Sequence, residues 1–241
     1  MSDSNSNSTK PAIILYTAPT PNGFKVGVFM EELRSAYGFN YEFYPMNMPK
    51  QEHKEPWFLA INPNGRIPAI VDRSRNNFVV FETAAILIYL QRYYDPENKF
   101  GWDAEESPEE YSEMMQWIFF SHGGVGPMQG QLNHFLNAAT EVVPYAITRY
   151  TNEVKRLYNV LDIRLSQDRD YLAGNGRGKY SIADMNVLPW LRIREYSKIT
   201  SLDEWPNVKR WCETTLSRPT WEVAGNVGRT EGTGSLYRVQ G

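Results

Sequence analysis

The sequence predicts two domains, a mixed α/β half followed by an all-helical half. Strand-like and helix-like stretches alternate through roughly the first hundred residues, and strand signals stop soon after. The length of 241 residues, 41% of them hydrophobic, is enough for two modest cores.

The opening residues "MSDSNSNSTK" are small and polar, so 1–11 are expected to form a disordered leader. "AIILYT" (12–17) is a short β-branched run suited to a buried strand. "FKVGVFMEEL" (24–33) repeats apolar residues at helical spacing. "YEFYPMNM" (41–48) alternates aromatic and polar residues as a second strand, which a right-handed crossover places parallel to the first. "IPAIVD" (67–72) and "FVVFE" (78–82), separated by the polar "RSRNN", predict an antiparallel hairpin. The apolar "TAAILIYLQRYY" (83–94) follows as a buried helix. A β-α-β unit followed by β-β-α is the thioredoxin-like order, here over residues 12–97.

"DPENKFGWDAEES" (95–107) mixes Pro, Gly and charge, which places a linker at 98–106. Ser107-Pro108-Glu109-Glu110 has the composition of a helix start with a capping box, and "YSEMMQWIFF" continues the helix. Further helices are expected at 145–167, 182–196 and 206–217, making 107–241 an all-helical domain whose Gly-rich tail, 225–241, is irregular. Ser181 and Asp184 stand at capping spacing, and that structural role outweighs a catalytic one.

A formal charge of −3, a pI near 5.7 and the lack of a dense Lys/Arg run argue against nucleic acid as a partner. No apolar run approaches the roughly 18 residues of a membrane span, and the first residues lack the regions of a signal peptide. A soluble, cytoplasmic protein is expected, and the sequon Asn7-Ser8-Thr9 is read as fortuitous. The single cysteine, Cys212, excludes an internal disulfide or a CxxC pair, and its helical setting reads as packing. His122 and His134 have no second ligand at metal spacing, so no metal is expected and both read as core or interface residues. Trp117, Phe119 and Phe120 read as core.

"YTAPTPNGFKV" (16–26) runs from strand into helix, where a thioredoxin-like half carries its reactive group. It offers Thr17, Thr20 and Asn22, with no Cys, Ser or Tyr beyond the strand's last residues; Asn22 by its spacing alone reads more readily as a turn residue. A cis bond before Pro68, in "NPNGRIP", would turn Ile67 outward so that its N–H and C=O pair with an extended peptide. Glu82-Thr83 lies where the last strand turns into a helix. Helix-start amides and a hydroxyl there can hold a carboxylate while Glu82 pairs with an ammonium, the two charges of an amino acid head group. "GGVGPMQGQ" lacks the ending of a phosphate loop and reads as a break between helices that admits backbone to the site, with Met128 and Gln129 as lining.

An extended peptide held by its backbone, with an amino acid head group beyond, describes glutathione. Through "TPNGFKV", "NPNGRIPAIVD", "FETAAILIYL", "GGVGPMQGQ", "VPYAITRY" and "YSIADM", the sequence resembles the glutathione transferase superfamily from about residue 12 to about 220. It is most similar to the Nu-class bacterial enzymes and the fungal group that includes the nitrogen-catabolite repressor. The resemblance implies a glutathione transferase fold, glutathione as cosubstrate and a homodimer. Asn22 would face the glutathione sulfur with Thr20 beside it, as the catalytic pair. His53 and the Ile67 backbone would hold the cysteinyl and glycyl part, Glu82 and Thr83 the γ-glutamyl end, and Pro68 would be the structural cis-proline. Arg149 would reach the site from the partner subunit. Many relatives carry Ser at the position of Thr83 and some carry Gln at that of His53, whose charge state would make binding pH-dependent. Prion behaviour, which goes with a long Asn-rich leader, is not implied.

With no protein nucleophile in the turn, the thiolate is expected to come from bound glutathione. The reaction classes that follow are reduction of small disulfides or peroxides and, alongside, addition to small electrophiles. A glutathione-binding carrier or regulator with little catalysis is the alternative; a thiol transferase using Cys212 ranks third.

Overall fold

The computed structural model describes residues 10–229 and 237–239. The apolar run after Pro11 becomes the central strand β1 (Ile13–Thr17), in which Ile13 and Leu15 are fully buried. Helix α1 (Pro21–Tyr37) is longer than its periodicity predicts. Thr20 caps it by accepting from the Gly23 N–H at 3.1 Å, Pro21 fits its first turn, and Gly38 ends it at φ +68°. Gly23 is required for close approach, since a Cβ there would meet the Ala18 carbonyl oxygen at 2.3 Å.

Strand β2 (Tyr41–Pro45) runs parallel to β1, with Ile13 opposite Tyr41. A one-turn helix α2 (Pro56–Leu59) follows, too short to show periodicity. Strands β3 (Ala69–Asp72) and β4 (Phe78–Phe81) form the expected antiparallel hairpin, closed by a 3-10 turn in which Asp72 accepts from the Ser74 N–H at 2.9 Å. β3 also pairs antiparallel with β1. Helix α3 (Thr83–Tyr94) completes the α/β half.

The second half comprises α4 (Pro108–Phe120), α5 (Gly126–Asn137), α6 (Pro144–Leu165), α7 (Ile182–Arg192), α8 (Pro206–Leu216) and α9 (Pro219–Ala224). Several expectations are corrected here. Ser107 makes no side-chain cap, and Glu110 instead accepts from Asn175. The Gly-rich tract is no break: α4 passes through a π-turn (Ser121–Val125) directly into α5. Gly126 there admits the Trp190 indole, whose Nε1 would lie 2.9 Å from a Cβ. α7 stops at Arg192 and a separate 3-10 turn occupies Arg194–Ser197. α9 was not anticipated. Phe119 is 59% exposed, so it does not belong to the core. The Gly-rich tail contains β5 (Tyr237–Val239), antiparallel to β2, giving a five-stranded sheet of order β4-β3-β1-β2-β5. Residues 1–9, with the sequon, 230–236 and 240–241 lie outside the described residues.

One apolar core runs through both halves, from Ile13 and Leu15 through Met114 and Leu161 to Trp211. Buried polar groups lock them together. Glu32 of α1 accepts two bonds from the Arg218 guanidinium, both at 2.8 Å, and one from Thr220 at 2.5 Å. The Ser181–Asp184 capping box forms as expected, and Asp184, fully buried, also accepts from the Leu172 N–H and Trp211 Nε1. Among the described residues no helix is long and apolar enough to cross a membrane.

Candidate active site

The chain folds so that two helix starts face one cleft of about 400 Å³. The first is that of α1, bringing Thr20, Pro21 and Asn22; the second is that of α3, bringing Glu82 and Thr83. Asn62, Asn64, Arg66, Ile67 and Pro68 line the wall before β3, and Met48, His122 and Trp190 complete it.

At α1 the Thr20 hydroxyl oxygen accepts from Gly23, which leaves its hydrogen free to donate into the cleft. Asn22 sits in the same first turn and carries a side-chain N–H₂. Helix-start partial charge adds to both donors, so an anion is favoured beside them.

At α3 no side chain caps the first amides. They remain available to a carboxylate, next to the hydroxyl of Thr83. Glu82 is held at φ +71°, a conformation that costs a non-glycine residue about 1–3 kcal/mol and is characteristic of ligand sites. Its carboxylate meets His122 Nε2 at 3.2 Å. Lys25 of α1 is 1% exposed, and burial pushes its ammonium down to about 7, against the opposing pull of the Glu82 charge.

The Ile67–Pro68 bond is cis. Asn62, itself buried, braces the same loop by donating to the Arg66 carbonyl at 2.7 Å and accepting from the Asn64 N–H at 3.0 Å. His53 lies in the 3-10 turn Glu52–Lys54, near this loop but outside the cleft lining. Its Nδ1 is buried with no partner among the described residues. Burial first, then the charges of Lys54 and Arg66, holds the imidazole below its ordinary value.

The structure therefore gathers Thr20, Asn22, Ile67, Pro68, Glu82 and Thr83 in one cleft and leaves four predicted site residues, His53, Met128, Gln129 and Arg149, out of its lining. Gln129 is fully buried, donating to the Trp190 carbonyl at 2.8 Å and accepting from Tyr158 at 3.0 Å, so it does not line the cleft. Met128 and Arg149 line a separate depression with Tyr145 and Arg156. Sequence reasoning missed Met48, Asn62, Asn64, Arg66, His122, Trp190 and the buried Lys25. The asparagines stood inside "NPNG", which was read for the proline beyond it. His122 was assigned to core or interface and instead lines the cleft. Among the described residues no cluster of His, Cys, Asp and Glu could hold a metal ion.

Fold and cleft together define the class: the chain belongs to the glutathione S-transferase family. Residues 11–92 match the family's N-terminal domain and residues 148–219 its C-terminal domain. The chain is 40% identical to the disulfide-bond oxidoreductase YfcG of Escherichia coli (strain K12), over 86% of this chain and 91% of that protein. A glutathione transferase homolog from Lodderomyces elongisporus, solved with two GSH per subunit, is 39% identical. It superposes at a TM-score of 0.82 over 91% of this chain and 99% of its own. The transferase URE2P8 from Phanerochaete chrysosporium, solved with oxidized glutathione, is 30% identical with a TM-score of 0.82, over 92% and 96% of the two chains. The branch is the Ure2-like one.

Proposed function

We propose that the protein is a glutathione-dependent disulfide reductase and peroxidase, with transferase activity towards small electrophiles alongside. The observation that carries this is the pairing of the two helix starts across one cleft. Thr20 and Asn22 offer donors to an anion at one, while Glu82, Thr83 and free amides suit an amino acid head group at the other.

In this reading Glu82 takes the γ-glutamyl ammonium and Thr83 with the α3 amides takes its carboxylate. The Ile67 backbone holds the cysteinyl part, with His53 towards the glycyl end. The thiol then lies against Thr20 and Asn22. A free thiol has a pKa near ~8.5, and one or two donors to the anion, together with the helix start, lower it by about one to two units, or roughly 1.4–2.7 kcal/mol. The thiolate attacks one sulfur of a small disulfide RSSR, forming a mixed disulfide and releasing RS⁻. A second glutathione thiolate attacks the glutathionyl sulfur, giving glutathione disulfide and the second RS⁻. With a peroxide, the thiolate takes the terminal oxygen to give a sulfenic acid and an alkoxide. A second glutathione then condenses with the sulfenic acid to disulfide and water. The two glutathione molecules carried by the Lodderomyces relative fit such a sequence.

Arg149 and Met128 line a depression separate from the cleft of their own chain, and in this account Arg149 serves the site of a partner in a homodimer. A lone, buried cysteine suits the reducing cytoplasm. The test is Asn22→Ala assayed for glutathione-dependent reduction of a small disulfide. Turnover falls about tenfold or more if Asn22 stabilises the thiolate; unchanged turnover removes its role.

A further inference from the structure

Glu82 is the only acidic side chain lining the cleft among the described residues, so a ligand ammonium there depends on it. That carboxylate is set between two basic groups. Lys25 of α1 acts on it from the buried interior, and His122 Nε2 stands 3.2 Å from its Oε2 at the cleft wall. His122 belongs to the helical half and Glu82 to the α/β half.

The imidazole is aimed by its backbone. It lies on the π-turn, a feature frequent at functional sites. The turn is pinned by the Ser121 hydroxyl donating to the Asn186 carbonyl at 3.1 Å, and by Leu157 and Trp190 packed against Gly124 and Gly126. Leu157 of α6 and Asn186 and Trp190 of α7, which meet the turn, carry no charge. The charged groups lining the cleft beside His122 are Glu82 of α3 and Arg66 of the loop before β3, while Lys25 of α1 is coupled to Glu82 from the buried interior.

We propose that His122 is a positioning residue of the γ-glutamyl subsite, fixing Glu82 for the ligand's ammonium when neutral and competing with that ammonium when charged. This rests on the glutathione reading above. A neutral imidazole donates one Nε2–H bond and leaves the other carboxylate oxygen, with the full negative charge, for the ligand. An imidazolium places a cation where the ammonium must pair. Ligand binding then expels a proton from His122, and affinity falls on acidification.

The test is calorimetric titration of the full-length protein with S-methylglutathione, which has no thiol to titrate, at about pH 8 and about pH 5.5. Acidification across the range in which histidine side chains take up a proton raises the wild-type Kd about tenfold. His122→Gln keeps a donor without the charge, and its Kd rises about twofold or less; His122→Asn does the same should the first variant fold poorly. Wild-type binding near pH 6.5, repeated in two buffers of different ionisation enthalpy, shows net proton release without any variant. An equal rise in wild type and variant overturns the role of His122, and so does the absence of proton release from the wild type. Absence of binding at either pH in the wild type overturns the glutathione reading itself, and the inference with it.

Discussion

Thr20 carries two separable tasks on one hydroxyl. Its oxygen accepts the Gly23 N–H at 3.1 Å and so caps α1, while its hydrogen is free to donate to a ligand in the cleft that Thr20 lines. Thr20→Ala removes both. Loss of the cap costs about 1 kcal/mol of stability. Loss of a donor to an anion costs about 1.5–3 kcal/mol, equivalent to raising the bound glutathione thiol by about one to two pKa units. Thr20→Asp separates the tasks, because aspartate is an equally good cap but has no hydrogen to donate and sets a negative charge beside the sulfur. Its urea midpoint should match the wild type while the bound thiol returns to about 8.5 or above. Thr20→Ser should restore both properties. The assay is near-ultraviolet thiolate absorbance of bound glutathione against pH, with urea unfolding of each apo variant. A Thr20→Asp protein whose bound thiol ionises as readily as in the wild type refutes the donor role.

Arg218→Ala should destabilise by about 3–5 kcal/mol in urea unfolding, because it strips two 2.8 Å bonds from the buried Glu32 carboxylate at the junction of the two halves. A loss under 1 kcal/mol would show that Glu32 needs no such partner. Cys212→Ser should leave glutathione-dependent disulfide reduction within about twofold of wild type, since the thiol is 4% exposed and burial pushes it up to about 12; a large loss would move the thiol chemistry onto the chain. Lys25 is held near 7 in the fold against its ordinary 10.5, so its cost to stability is fully present below pH 7 and is relieved as pH rises from 7 towards 10.5. Lys25→Met should therefore be more stable than wild type at pH 7, by roughly 1–4 kcal/mol, and that difference should shrink by pH 9.5. A difference independent of pH contradicts the assignment.

What the sequence disclosed follows from how each signal arises. β1 and the β3–β4 hairpin were readable because β-branched runs bounded by turn formers have one local solution. α1 was read short because it is buried on nearly all sides, Lys25, Glu31 and Glu32 included, so no amphipathic stripe marks its ends. The Gly-rich tract misled because glycine suits both a chain break and close helix packing, and here Leu157 and Trp190 occupy the space beside Gly124 and Gly126. β5 is three residues within a Gly-rich tail, below the length at which alternation shows. Among site residues, Glu82 and Thr83 follow from the local chemistry of a strand turning into a helix, whereas the roles of Thr20 and Asn22 came from the resemblance. His122 was missed because a solitary histidine has no pattern, and its partner Glu82 is a neighbour only in three dimensions. Arg149 came from resemblance alone and Met128 from the Gly-rich tract, and their own chain places both in a depression separate from the cleft.

Stabilisation of a thiolate by Thr20 and Asn22 is what distinguishes a catalyst from a carrier in this cleft. The thiol pKa of glutathione bound to the wild-type protein, read by thiolate absorbance, should lie at least one unit below the free value of about 8.5 and return to it in Asn22→Ala. A bound thiol in the wild type that titrates as it does in free solution would contradict the enzymatic account and leave a glutathione-binding carrier.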